Sequence, residues 1–93
     1  MEAKTQSKLI KWLRAHQYFV FKTRPGPGVP VGTPDVFAVK EGFWAAFEVK
    51  ASRTAPFQPL QKKTVEKLAK WSYCKVVYPQ NLDEILAELE SME

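Results

Sequence analysis

The chain has 93 residues, 45% apolar and 13% aromatic, with a formal charge of +4, one Cys and one His. Such a length and composition predict one folded domain over residues 1–93, exclude a disordered chain, and offer no apolar run near the roughly 18 residues of a membrane span. A lone Cys74 excludes an intramolecular disulfide or Cys/His zinc cluster, and the polar N-terminus lacks a secretory apolar stretch. An intracellular protein with a polyanionic partner is therefore expected, its chemistry resting on carboxylates and lysines.

In chain order, Leu9, Trp12, Leu13 and His16 follow the helical period and predict an amphipathic helix from Glu2 to Gln17, with His16 a packing or capping residue near its end. Aromatic and β-branched residues from Tyr18 to Thr23 read as a strand. Arg24 to Gly32 carries three prolines and three glycines and must be a loop. Strands follow at Val36–Val39 and Phe43–Val49, joined at Lys40-Glu41-Gly42, where Gly supplies the freedom a hairpin turn needs. Both faces of these strands are apolar, which predicts helices on both. Pro56 and Pro59 lead into a second helix striped by Leu60, Thr64, Val65, Leu68 and Trp71. Cys74–Tyr78 reads as a fourth strand. A last helix, capped by Asn81 or Asp83, carries Leu82, Ile85, Leu86 and Leu89 at helical spacing. The expected fold is α/β in the order α-β-β-β-α-β-α, with a mixed four-stranded sheet flanked by helices.

Charges on the central hairpin are placed unusually. A two- or four-residue loop centred on Glu41-Gly42 sets Asp35 directly opposite Glu48, and directly opposed like charges with Cβ atoms about 5 Å apart are destabilising. Lys50 projects from the same face, because strand side chains alternate. A three-residue loop ending in a bulge at Gly42 would instead put the two carboxylates on opposite faces. In the first register, a divalent cation turns repulsion into ligation, and hard oxygen donors suit Mg²⁺ or Mn²⁺. Two carboxylates and an ammonium around such an ion make a phosphodiesterase site, with Lys50 orienting water or stabilising transition-state charge.

Pro34-Asp35, then Glu48-Val49-Lys50 on a hairpin between helices, resembles the PD-(D/E)XK nuclease signature, a restriction-endonuclease-like fold. Gly32-Thr33-Pro34-Asp35, Phe47-Glu48-Val49-Lys50-Ala51-Ser52 and Pro59-Leu60-Gln61 are together similar to the VRR-NUC (virus-type replication-repair nuclease) pattern over nearly the whole chain. The resemblance implies a catalytic set of Asp35, Glu48, Lys50 and Gln61. It also implies metal ligands from Asp35, Glu48, Glu2 and the backbone carbonyl of Val49. Standalone members, from phages and bacteria, resemble Holliday-junction resolvases, and this chain is similar to that form. It implies a metal-dependent endonuclease of DNA repair, acting on branched DNA.

Lysines recur at helical spacing as Lys4, Lys8, Lys11 and as Lys63, Lys67, Lys70. Such stripes are commonly solvated faces; beside a phosphodiesterase site they become phosphate contacts. Lys4, Lys8, Lys11, Arg24, Arg53 and Lys63 are the expected DNA-binding set. Symmetric cutting of a four-way junction needs two sites, which predicts a homodimer, with Trp71 or Tyr73 as interface candidates. The alternative is a nucleic-acid-binding subunit of a replication or repair assembly that keeps the fold without turnover; an intact Asp35, Glu48 and Lys50 set argues against it.

Overall fold

A computed structural model describes the backbone from Glu2 onward and the side chains of residues 3–93. The elements are α1 (Glu2–Ala15), β1 (Phe19–Lys22), β2 (Val36–Lys40), β3 (Phe43–Val49), α2 (Pro59–Ala69), β4 (Tyr73–Val77) and α3 (Leu82–Ser91). Their order is the expected one. The sheet runs β1-β2-β3-β4, antiparallel up to β3, with β4 parallel to β3. That parallel pair requires a crossover, and α2 supplies it.

Local chemistry sets the ends of the elements. Helix α1 stops because Gln17 turns into the left-handed region at φ 72°, which lets Tyr18 enter the sheet. Pro59 opens α2 at a position where a missing N–H costs nothing. Asn81 precedes α3 but does not cap it: its side chain accepts from the Tyr78 N–H and donates to the Val76 carbonyl, closing the turn out of β4. Asp83 and Glu84 in the first turn of α3 complement the helix dipole instead.

The main core lies between one sheet face and helices α1 and α3, where Leu9, Leu13, Val36, Ala38, Phe47, Val77 and Leu89 are fully buried. On the other face, α2 packs Val65 against Ala46 and Cys74, with Leu68, Phe37 and Trp44 around them. Helices thus occupy both faces, but α2 leaves part of its face open: Phe19, Phe21 and Val39 are exposed. The α2 stripe is also shorter than its period suggests. Leu60 is exposed, and Trp71 lies beyond the helix end at 65% exposure.

Strand β2 pairs with β3 through Val36↔Phe47 and Lys40↔Phe43, leaving Glu41-Gly42 as a two-residue turn with Gly42 at φ 78°. The bulged alternative is excluded, and continuing the ladder by one step sets Asp35 opposite Glu48. Gly32 makes a second demand on the backbone. At φ +90° it runs so close to α2 that a Cβ would sit 2.7 Å from the Leu60 carbonyl oxygen. The proline-rich loop is thereby seated on the first turn of α2.

Gly28 has a similar φ, +85°, but open space around it. Gly28→Ala should cost only the left-handed strain, about 1 kcal/mol, whereas Gly32→Ala adds an overpacking cost of about 1–3 kcal/mol. Denaturant unfolding of the two variants checks this; equal losses would show that the loop is not seated on α2.

Candidate active site

The open end of the β2–β3 hairpin gathers Asp35, Glu48, Lys50 and Gln61. Asp35 enters from the loop before β2, and two contacts of Thr23 fix its backbone: the hydroxyl donates to the Pro34 carbonyl at 2.7 Å, and the Thr23 N–H donates to the Asp35 carbonyl at 2.9 Å. Asp35 Oδ2 then accepts the Val49 N–H at 2.9 Å, which ties the loop to the end of β3. Thr23 was not singled out by the sequence, since a Thr at a strand end is unremarkable until its partner is known.

Glu48 alternates with Phe47 and Val49, so while those two enter the main core it turns toward α2. It is only 2% exposed. The room for it comes from Ala46, one step along the same face, whose small side chain lets α2 approach. Gln61, in the first turn of α2, reaches down as a bridge. Its Nε2 donates to Glu48 Oε2 at 3.1 Å, while its Oε1 accepts from Lys50 Nζ at 2.8 Å and from the Gln58 N–H at 3.2 Å. Lysine and a backbone N–H can only donate, which fixes the orientation of the amide. Lys50 Nζ also donates to the Pro56 carbonyl at 3.2 Å and stands 3.7 Å from Glu48 Oε2.

Burial, then the Asp35 charge, push the Glu48 carboxyl up to about 7, against the opposing pull of Lys50. Burial, and then the Glu48 charge, raise the neighbouring Cys74 thiol to about 11, so it stays protonated and inert. Glu48 Oε1 is buried without a hydrogen-bond partner. Facing a second carboxylate, such an oxygen calls for a proton or a hard cation, and this donor set suits either. Among the described residues no group of three or more His, Cys, Asp or Glu forms a ready-made metal cluster. The Glu2 carboxylate, an expected ligand, lies outside the described side chains.

The expected DNA contacts are distributed differently. Arg24 lines a cavity of about 330 Å³ together with Thr23, Asp35, Gln58 and Gln61, directly at the site. Arg53 holds its guanidinium 5.6 Å from the Tyr78 ring, and Lys63 is exposed on α2. Lys4 and Lys8 line a separate hollow with Pro79, Leu82 and Asp83, and Lys11 another with Arg14 and Lys22. His16 takes no part in the site. It stacks on Trp12 at 3.6 Å and meets the Glu93 carboxylate at 2.9 Å. Lys40, which precedes the hairpin turn, donates to the His16 carbonyl, so this cluster sits at the far end of the hairpin from Asp35.

With this geometry in place, comparison with known families is informative. The model of the archaeal Holliday junction resolvase (Hjc) family matches residues 3–76, from α1 into β4, and so contains Asp35, Glu48, Lys50 and Gln61. The chain belongs to the Hjc family. That places it in the PD-(D/E)XK nuclease superfamily, and the family implies Holliday junction resolvase nuclease activity. No curated protein matches the chain. No helix among the described residues is long and apolar enough to cross a membrane.

The raised Glu48 acidity has a measurable consequence. A carboxyl whose folded pKa lies above its unfolded value contributes stability that is fully present below about 4.5 and is lost as pH rises through about 7. In EDTA, the parent should lose stability across that window relative to Glu48→Gln, which has no such proton to release. Parallel stability–pH curves for the two proteins would contradict the burial argument.

Proposed function

We propose that this chain is a metal-dependent DNA endonuclease of the VRR-NUC kind within the resolvase family, hydrolysing phosphodiester bonds in branched DNA inside the cell. The observation that carries the proposal is the convergence of Asp35, a buried Glu48, Lys50 and Gln61 at one end of the hairpin, in a chain of a resolvase family.

Asp35 and Glu48 would hold Mg²⁺ or Mn²⁺, with the Val49 carbonyl and Glu2 as further ligands, and the orphaned Glu48 Oε1 supports that fit. When bound, the ion polarises the scissile phosphate and acidifies water. The protein's own groups do the rest. Gln61 holds the Lys50 ammonium and the Glu48 carboxylate in a fixed relation, so that neither swings into solvent. Lys50 donates to the attacking water or to a phosphoryl oxygen, stabilising charge as it grows in the transition state. Thr23 holds Asp35 in line with the end of β3. Arg24, at the mouth of the cavity, meets a backbone phosphate, while Lys4, Lys8, Lys11, Arg53 and Lys63 extend the electrostatic footprint. Each chain carries one such site, and paired cuts across a junction need two, so the working unit is a homodimer. The exposure of Trp71 supports it as an interface residue better than Tyr73, which is half-buried and bonded to Glu88.

Asp35→Ala and Glu48→Ala should abolish cleavage of a four-way junction in Mg²⁺ or Mn²⁺ while the variants remain folded. Lys50→Ala should keep its metal affinity and lose on the order of 10²-fold in rate. Parental cutting by any of the three would remove the assignment. A panel of branched and linear DNAs, run beside sedimentation, tests the rest: equal cutting of plain duplex, or full junction activity from a monomer, would sink the structure preference or the dimer respectively.

Metal binding should stabilise the fold by mass action, by about 2.7 kcal/mol at one hundred times the dissociation constant. Scanning calorimetry with Mn²⁺ should show the shift in the parent and not in Asp35→Ala. Equal shifts in both would place the ion elsewhere.

A further inference from the structure

The part of the sheet that α2 leaves open carries aromatic side chains where solubility alone would favour polar ones. Val20 enters the main core, so its neighbours Phe19 and Phe21 point to the opposite face, and they are 71% and 44% exposed. Phe21 lies opposite Phe37 across the β1–β2 pair, with the rings stacked at 5.5 Å and 7°. Phe37 continues the series to Trp44 at 6.3 Å. Phe37 is two residues beyond Asp35, which extends the line of β2 by one step, so this ladder and the carboxylates share one face, one side-chain row apart.

Toward each end of the aromatic row stands one cation, Lys67 and Arg24. Helical spacing sets Leu60, Thr64 and Lys67 on one flank of α2, and Trp71 follows just past the helix end. Two contacts turn that flank toward the open sheet: Leu60 touches Gly32, and Trp71 lines a hollow with Trp44. That flank carries no acidic residue, and Lys67 sits over the Trp71 ring. At the other end Arg24 stands beside Asp35. A nucleic acid brings phosphates to Lys67 and Arg24 and flat π-faces to the rings, a combination typical of surfaces that bind unpaired nucleotides.

We infer that the Phe19–Phe21–Phe37 ladder is a stacking platform for a nucleobase unstacked at the branch point of the DNA substrate, setting the strand across the adjacent carboxylates. The platform rests on the endonuclease reading above and adds to it the group that distinguishes a branch from a continuous duplex: a paired, stacked base has no free face to offer. Phe21, exposed at one end of the stacked pair, is the residue that receives the base.

Binding measured in EDTA, with 2-aminopurine placed at the branch of a four-way junction, tests this. The parent should quench the probe. Phe21→Leu, which stays apolar but loses the ring, should abolish the quench and weaken junction binding about tenfold, with duplex affinity little changed. Phe21→Trp should restore both. Unchanged junction binding and quenching in Phe21→Leu would overturn the inference while leaving the endonuclease reading intact, provided the parent still cuts the junction in Mg²⁺. Equal losses on junction and duplex would overturn it too. So would a Phe21→Leu protein that sediments as a smaller species than the parent, which would mark the face as an interface between copies. A parent that neither binds nor cuts the junction would remove the endonuclease reading and the platform together.

Discussion

A carboxylate buried beside another carboxylate is the constraint around which this protein is built. Glu48 sits almost out of water on the α2 side of β3, and neither Asp35 nor its own burial favours its charged form. Several features of the sequence become intelligible from that one placement. Ala46 is small so that α2 can close over the site. Gln61, not an apolar residue, occupies the first turn of α2 because one Glu48 oxygen needs a donor. Lys50 is held inward by Gln61 and by the Pro56 carbonyl instead of extending into solvent. The remaining oxygen receives no donor from the protein and faces Asp35, so it calls for a proton shared with that carboxylate or for a cation.

The hairpin that presents these groups is anchored differently at its two ends. At the turn end, Lys40 donates to the His16 carbonyl and lies 3.9 Å over the Tyr18 ring, while His16 pairs with Glu93. These contacts join the end of α1, the turn and the C-terminal residue into one cluster remote from the chemistry. At the site end, strand pairing stops and side chains take over: Thr23 holds the Pro34-Asp35 backbone, and Asp35 holds the Val49 N–H. The strand register fixes which face Asp35 and Glu48 share.

Coverage of the sheet is unequal for a related reason. Helices α1 and α3 together seal one face, whereas α2 alone serves the other and lies over β3 and β4. The crossover from β3 to a parallel β4 obliges it to do so, which leaves β1 and part of β2 open on the side that carries the carboxylates. The active-site face is therefore also the open face, and its aromatic residues lie next to the chemistry instead of beneath a helix.

Periodicity and turn chemistry determined much of this from the sequence alone. Leu9 and Leu13 marked the inner face of α1, Gly42 marked the hairpin turn, and the prolines before Leu60 marked the entry to α2, because each is a local preference that the fold leaves in force. Pro34-Asp35 and Glu48-Val49-Lys50 stood out because carboxylates are costly on an otherwise apolar hairpin. Other features were decided only by tertiary structure. The choice between a two-residue turn and a bulge, on which the pairing of Asp35 with Glu48 depends, rests on how β2 packs into the core. The exposure of Trp71 and Phe21 depends on where α2 comes to lie, and periodicity reports that a residue is apolar but not what covers it. Thr23 and Gln61 acquire their roles from partners 11 and 13 residues away, Pro34 and Glu48. A hydrogen bond between distant side chains leaves no periodic trace in the chain, so Thr23 became legible only when the strands had been brought together, and Gln61, which the Pro59-Leu60-Gln61 pattern had marked, gained its bonding partners only there.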